Sequence, residues 1–278
     1  MYYAVLGPLC MVANGETRSM RSRNSSVILT TLLVNVGNIV AVDDLISEVW
    51  ARPPRRARDA IYVNISKLRQ KLGESPQGSV LQSQFPGYVM RLHDEQLDLQ
   101  LFHRHRIEGH RLMANGDYKT AVGAWKAGLS LCRGVPLGGV CPGPILGSFN
   151  LWLQQSRVDC IELTAWSQLR SGQCHSAIDF LSQYVTQYPL NEILYQQLML
   201  AFYLSHHRAQ SLGVFQRACR ILGDELGVGP SRDLQMMQDI VLADDAVRAE
   251  RALSSAVASQ VGSLRPSGEL WCRTNSVG

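Results

Sequence analysis

The stretch Ser171-Gly172-Gln173-Cys174-His175-Ser176-Ala177-Ile178 returns 34 residues later, degenerate but aligned, as Ser205-His206-His207-Arg208-Ala209-Gln210-Ser211-Leu212. A third version, Asn115-Gly116-Asp117-Tyr118-Lys119-Thr120-Ala121-Val122, lies 56 residues before the first, one further period plus 22. The surplus falls where the chain reads GVPLGGVCPGPILGSF, and an inserted loop is expected there. From Leu97 to about Ala243 the apolar residues recur with helical spacing, so each period is read as a helix, a turn and a second helix. Each such pair leaves an apolar face that only a stacked neighbour can bury.

A period of 34 residues, with a small residue in the turn and an alanine in the next helix, is tetratricopeptide (TPR) spacing. Unrelated helical hairpins of similar length are the alternative. The first hundred residues follow a different pattern. Tyr2–Leu6 and Leu9–Val12 look like strands separated by Gly7-Pro8, and Asn14-Gly15 is a hairpin signal. A helix is expected near 23–35, capped by Ser25 or Ser26 and stopped by Gly37. A second is expected over Asp43–Trp50, its acids at the positive end of the helix dipole. Pro53-Pro54 opens a third, because proline is tolerated in a first turn. Val80–Ser83 and Tyr88–Leu92 flank Phe85-Pro86-Gly87 as a β-hairpin. Two helices, a third and a hairpin make a winged helix-turn-helix. The fold class is therefore mainly α with a small α+β part, divided as a winged helix over 1–96, an all-α TPR-like domain over 97–243, and a short helix extension and tail over 244–278.

The third helix carries the charge. The whole chain has a net charge of only +4, yet residues 52–71 hold Arg52, Arg55, Arg56, Arg58, Lys67, Arg69 and Lys71 against the single acid Asp59. At 100° per residue, Ala57, Ile61, Ile65, Leu68 and Leu72 share one side. The other side collects Arg56, Asp59, Val63, Ser66, Lys67 and Gln70, flanked by Arg55 and Tyr62. A rod of roughly 27 Å fits along a DNA major groove. Arg56 suits a bidentate pair to guanine, Lys67 suits phosphate or guanine, Asn64 and Gln70 carry amides, and Val63 suits a thymine methyl. An ordinary solvated helix with one stray valine is the competing reading, since single exposed apolar residues are common. Arg21 and Arg23 near the first helix, with Ser83 and Gln84 at the wing, are candidate backbone contacts that set register.

YYAVLGPL, DDLISEVW, PPRRARDAIYVNISKLRQKL and PGYVMRL resemble the N-terminal domain of the Streptomyces antibiotic regulatory protein (SARP) family, itself similar to the OmpR/PhoB-type winged helix. LDLQLFHRH, GVPLGGVCPGPI and the run from YPLNEILYQQ to DLQMM resemble that family's bacterial transcriptional activation domain, so the likeness spans roughly residues 1–243. It implies a transcriptional activator of a secondary-metabolite (antibiotic) gene cluster. Such a protein binds direct repeats about one helical turn apart in promoter DNA as head-to-tail protomers, a homodimer on DNA, and contacts RNA polymerase holoenzyme including its principal sigma subunit. By position, Lys67 and Arg69 match basic contact residues of the wider winged-helix group, and Ser83 matches a wing hydroxyl. Two positions depart. The wing reads Ser83-Gln84-Phe85-Pro86-Gly87-Tyr88 where many members have Thr-Arg-Pro-Pro-Gly-Tyr, so a minor-groove arginine is missing, and Asn24 stands where a basic residue is usual. Weaker or more cooperative DNA binding than in a typical member is expected.

Other classes of function find little in the chain. No GxxxxGK[ST] occurs, so no ATP-driven switch is expected, and neither a receiver domain before the winged helix nor control by aspartyl phosphorylation is expected. Seven cysteines without CxxC spacing read as reduced, small hydrophobes of a cytoplasmic, nucleoid-associated protein, and no signal peptide or membrane span is expected. His103, His105 and His110 lie on one expected helix but lack a completing ligand set, so a solvated helix rather than a metal site is expected. No cofactor and no enzymatic nucleophile–base pair is expected. The competing functions are a TPR-type adaptor whose winged helix serves protein contacts, and a repressor of the same fold.

Overall fold

The computed structural model describes residues 1–13, 15–18, 20, 22–75, 78–92, 96–136 and 143–253. They fall into two compact units, one holding residues 1–105 and 128–157, the other residues 106–127 and those from 158 onward.

In the first unit, β1 (Tyr2–Ala4), β2 (Cys10–Ala13) and β3 (Glu16–Arg18) form an antiparallel sheet in that order. Ala13 pairs with Glu16 across the expected Asn14-Gly15 turn, where Gly15 takes φ +79°. Helix α1 (Arg23–Val34) is capped by Ser22, whose hydroxyl accepts the Ser25 N–H. Ser25 and Ser26, the expected caps, lie inside the first turn, because the backbone is still extended only at Ser22. Strand β4 (Ile39–Ala41) leads into α2 (Val42–Val49), and α3 (Ala57–Leu72) comes next. After a minimal pair, β5 (Glu74–Ser75) and β6 (Gly78–Ser79), come the wing strands β7 (Leu81–Gln84) and β8 (Gly87–Met90), in a sheet ordered β4-β8-β7. Ile28, Leu29, Leu32 and Leu33 of α1, Leu45 of α2, and Ile61 and Leu68 of α3 are fully buried and make the core of the winged helix.

Two buried carboxylates fix further segments to this core. Asp98, at the start of α4 (Asp98–Ala114), accepts the backbone N–H groups of Val5 (2.8 Å) and Leu6 (3.0 Å) and pairs with Arg133 at 3.6 Å. Glu48 of α2, fully buried, accepts the N–H groups of Ile145 (2.6 Å) and Leu146 (3.2 Å) at the start of α6 (Pro144–Arg170). Burial pushes both carboxyl pKa values up, opposed by those same backbone hydrogen bonds. The expected inserted loop is thus shorter than its composition implied. Pro144 occupies a first helical turn, and the PILGSF portion is already helix, its free N–H groups satisfied by a residue far away in sequence.

The second unit carries the repeat. Helix α4 turns at Gly116 (φ +77°) into α5 (Tyr118–Leu131), α6 at Gly172 (φ +73°) into α7 (Cys174–Gln187), and α8 (Glu192–Leu204) at His206 (φ +62°) into α9 (Arg208–Leu226). All three turns share one hydrogen-bond pattern. Gly116, Gly172 and His206 donate to Met113, Leu169 and Tyr203, and the next residue in each turn donates to Leu112, Gln168 and Phe202. Ala121, Ala177 and Ser211, equivalent in the repeat, are completely buried where the next helix starts. A fourth turn was missed by the 34-residue alignment. Asp244 (φ +55°) joins α10 (Arg232–Ala243) to a helix over 246–253 with the same two bonds, to Val241 and Ile240, and Ala249 is buried in the equivalent place. Its spacing from His206 is 38 residues, which hides it from a fixed-period search.

Two of the three histidines of α4 pack against aromatic rings and are not solvated as expected. His103 lies 5.1 Å from the Trp152 ring, and His110 meets the Trp125 ring edge-on at 4.7 Å. Burial lowers the His110 pKa to about 4, with Arg106 adding repulsion. Among the described residues no group of three metal-ligating side chains converges. No helix among them is long and apolar enough to cross a membrane.

Candidate nucleic-acid interface

Helix α3 lies on α1 and α2 through one face: Ala57, Ile61, Ile65, Leu68 and Leu72 are buried. The opposite face is open. Arg55 and Arg56, just before the first helical turn, and Asp59, Ser66, Lys67 and Gln70 are exposed. Val63 is 52% and Tyr62 47% exposed on the same side. One helix therefore presents cations, amide and hydroxyl donors and one branched apolar group to solvent, a set that matches major-groove base edges and phosphates. Arg23 is exposed at the start of α1, as are Ser83 and Gln84 on the wing, and Arg21 lies outside the described residues.

Three expected contact residues are engaged within the domain. Asn64 accepts the Ser25 hydroxyl at 2.7 Å and donates its amide to the Ala60 carbonyl at 2.8 Å, which locks α3 to α1. Arg69 donates to the Leu81 carbonyl (3.1 Å) and the Ser83 hydroxyl (2.8 Å), and its guanidinium lies 5.7 Å from the centre of the Tyr88 ring. Arg69 thereby fixes the wing to α3, and Ser83 is its partner in that role. Arg58, part of the cationic run, is turned aside by a two-oxygen pair with Asp43 at 2.6 and 2.8 Å. Among the described residues, the free cations nearest the outward face of α3 are thus Arg55, Arg56 and Lys67. Phe85 at the wing tip was not singled out by sequence reasoning, although an aromatic residue in a Pro-Gly turn was the available signal; it is 96% exposed.

Comparison with known proteins fits this arrangement. The family model described as "Bacterial transcriptional activator domain" matches residues 97–242, and that described as "Transcriptional regulatory protein, C terminal" matches 17–90. Regulatory protein DnrI of Streptomyces peucetius is 30% identical over 253 residues, covering 88% of this chain and 93% of that protein. The chain belongs to the SARP family of transcriptional regulators. Another relative of this SARP regulator, regulatory protein AfsR of Streptomyces coelicolor, is 33% identical over 95% of the chain, which spans only 26% of that longer protein. A solved structure of Mycobacterium tuberculosis EmbR, in complex with a low-affinity phosphopeptide, matches with a TM-score of 0.85 at 27% identity, covering 95% of this chain and 70% of that one. The SARP assignment brings with it the winged helix and the helical-repeat activator domain.

Proposed function

We propose that this chain is a sequence-specific activator that binds direct repeats in the promoters of a secondary-metabolite gene cluster and recruits RNA polymerase holoenzyme, including its principal sigma subunit. It acts as a homodimer on DNA, at the nucleoid. The observation that carries this reading is the division of α3 into a buried face and an open one bearing Arg56, Val63, Ser66, Lys67 and Gln70. Base discrimination falls to Arg56, Val63, Lys67 and Gln70. Arg55, Arg23 and the wing residue Gln84 supply backbone contacts, with Arg21 beside them in sequence. The winged helix ends near residue 96, the activating domain runs to 243, and residues 244–253 extend it. In this reading Asn64, Arg69 and Ser83 act by holding α3 and the wing in place, and the lone acid Asp59 excludes an approaching phosphate at its end of the helix.

A promoter gel shift combined with transcription in vitro by purified polymerase tests the proposal. A specific complex and increased transcript from the same promoter are expected. A specific complex with decreased transcript identifies a repressor, and no specific complex identifies an adaptor.

A further inference from the structure

The wing ends in a side chain that its own domain leaves unused. Phe85 is 96% exposed, the highest value for a large apolar side chain among the described residues, with Ile107 next at 70%. Its position is well determined by its neighbours. Gln84 pairs with Gly87 across the turn, and the Pro86 carbonyl accepts the Val42 N–H at 3.4 Å. A Cβ on Gly87 would collide with the Val40 carbonyl, so β8 is pressed against β4 directly behind the tip. On the other strand, Arg69 holds Leu81 and Ser83 to α3. The phenyl ring therefore projects from a braced turn at a fixed offset from the open face of α3.

The surroundings favour a polyanion over an apolar protein groove. From Leu81 to Arg91 the hairpin contains no acid, and its exposed residues around the ring are Gln82, Ser83, Gln84 and Pro86. Uncharged amides read the minor groove, and apolar wedges such as Phe and Pro enter it by parting a base step. We infer that Phe85 is a minor-groove wedge: while α3 occupies the major groove, the ring enters the adjacent minor groove, partly unstacks one base step and bends the duplex. This rests on the DNA-binding reading above and adds a residue and a deformation to it. It also gives the wing a means of gripping DNA without an arginine at position 84.

The test uses the full chain and a duplex enriched by it from a randomised library. 2-Aminopurine is placed at successive steps of that duplex, and donor and acceptor dyes at its ends report bending. The wild type is expected to raise the fluorescence of one probe beside the α3 site and to bend the duplex by about 20–90°. Phe85→Ala, harmless to folding at so exposed a position, is expected to bind about tenfold more weakly and to lose both signals, while Phe85→Leu keeps them. The slope of log affinity against log salt stays the same, because no charge is removed. Unstacking and bending that persist in Phe85→Ala overturn the wedge. So does a variant that binds and bends DNA normally but fails to activate transcription, which would place the ring against polymerase. If no duplex is enriched at all, the DNA-binding reading fails, and the wedge with it.

Discussion

Glu48→Ala is expected to destabilise the first unit by about 2–3 kcal/mol. The carboxylate is completely buried, and its two oxygens accept the Ile145 and Leu146 N–H groups at the start of a 27-residue helix. Removing it orphans two donors, each costing about 1–3 kcal/mol. The relief of no longer burying a carboxylate offsets part of this, the same burial that pushes the Glu48 pKa up. A carboxyl whose folded pKa exceeds its unfolded value contributes most below the unfolded value of 4.5 and loses that contribution as pH rises through the folded pKa. Glu48→Ala should therefore cost more at pH 4.5 than at pH 7. Urea unfolding at both pH values gives the free energies, and amide exchange at Ile145 and Leu146 shows whether the loss is local. Gly143→Ala should reproduce part of the effect, since a Cβ there would clash with Glu48. A Glu48→Ala change below about 0.5 kcal/mol at both pH values, with exchange unaltered, would refute the reasoning.

Val63→Ser should leave stability within about 0.5 kcal/mol and cost about 1 kcal/mol or more of discrimination at one base pair; equal weakening across all operator variants would show that Val63 meets no thymine methyl. Gln84→Arg should tighten binding and steepen the slope of log affinity against log salt by about 0.9, read from salt-titrated gel shifts; no change in either would mean position 84 does not reach the DNA. His110 is held neutral in the fold, its pKa lowered to about 4, so its contribution is present above the ordinary 6.5 and is lost as pH falls towards 4. His110→Phe keeps an aromatic ring beside Trp125 and should remove up to about 3 kcal/mol of the stability difference between pH 7 and pH 4, and an unaltered pH profile would contradict that assignment.

The elements legible in the sequence were those specified by local pattern. The five buried residues of α3 follow from helical spacing alone, and Gly116 and Gly172 announced their turns because a left-handed backbone favours glycine. What escaped depends on partners distant in sequence or on segments too short to show a period. Glu48 sits in the acidic run DDLISEV, where nothing local marks it as buried, and the N–H groups it satisfies belong to residues 145 and 146. Asn64 reads as an amide for base edges and Arg69 as a basic contact residue, while the bonds that Asn64 makes with Ser25, 39 positions earlier, and Arg69 with Ser83 depend on the fold. Strands β3 and β4 are three residues each, too short for alternation to register. The fourth helical turn was hidden because its left-handed residue is Asp244 and its spacing differs from the repeat.

The most direct test of α3 as the reading helix is the affinity ratio between an enriched duplex and its base-shuffled counterpart at physiological salt. The ratio should be about 1,000 or more for the wild type and fall for Arg56→Ala and Gln70→Ala, with each loss confined to particular base pairs. A wild-type ratio near one, or variants that weaken both duplexes alike, would contradict the account.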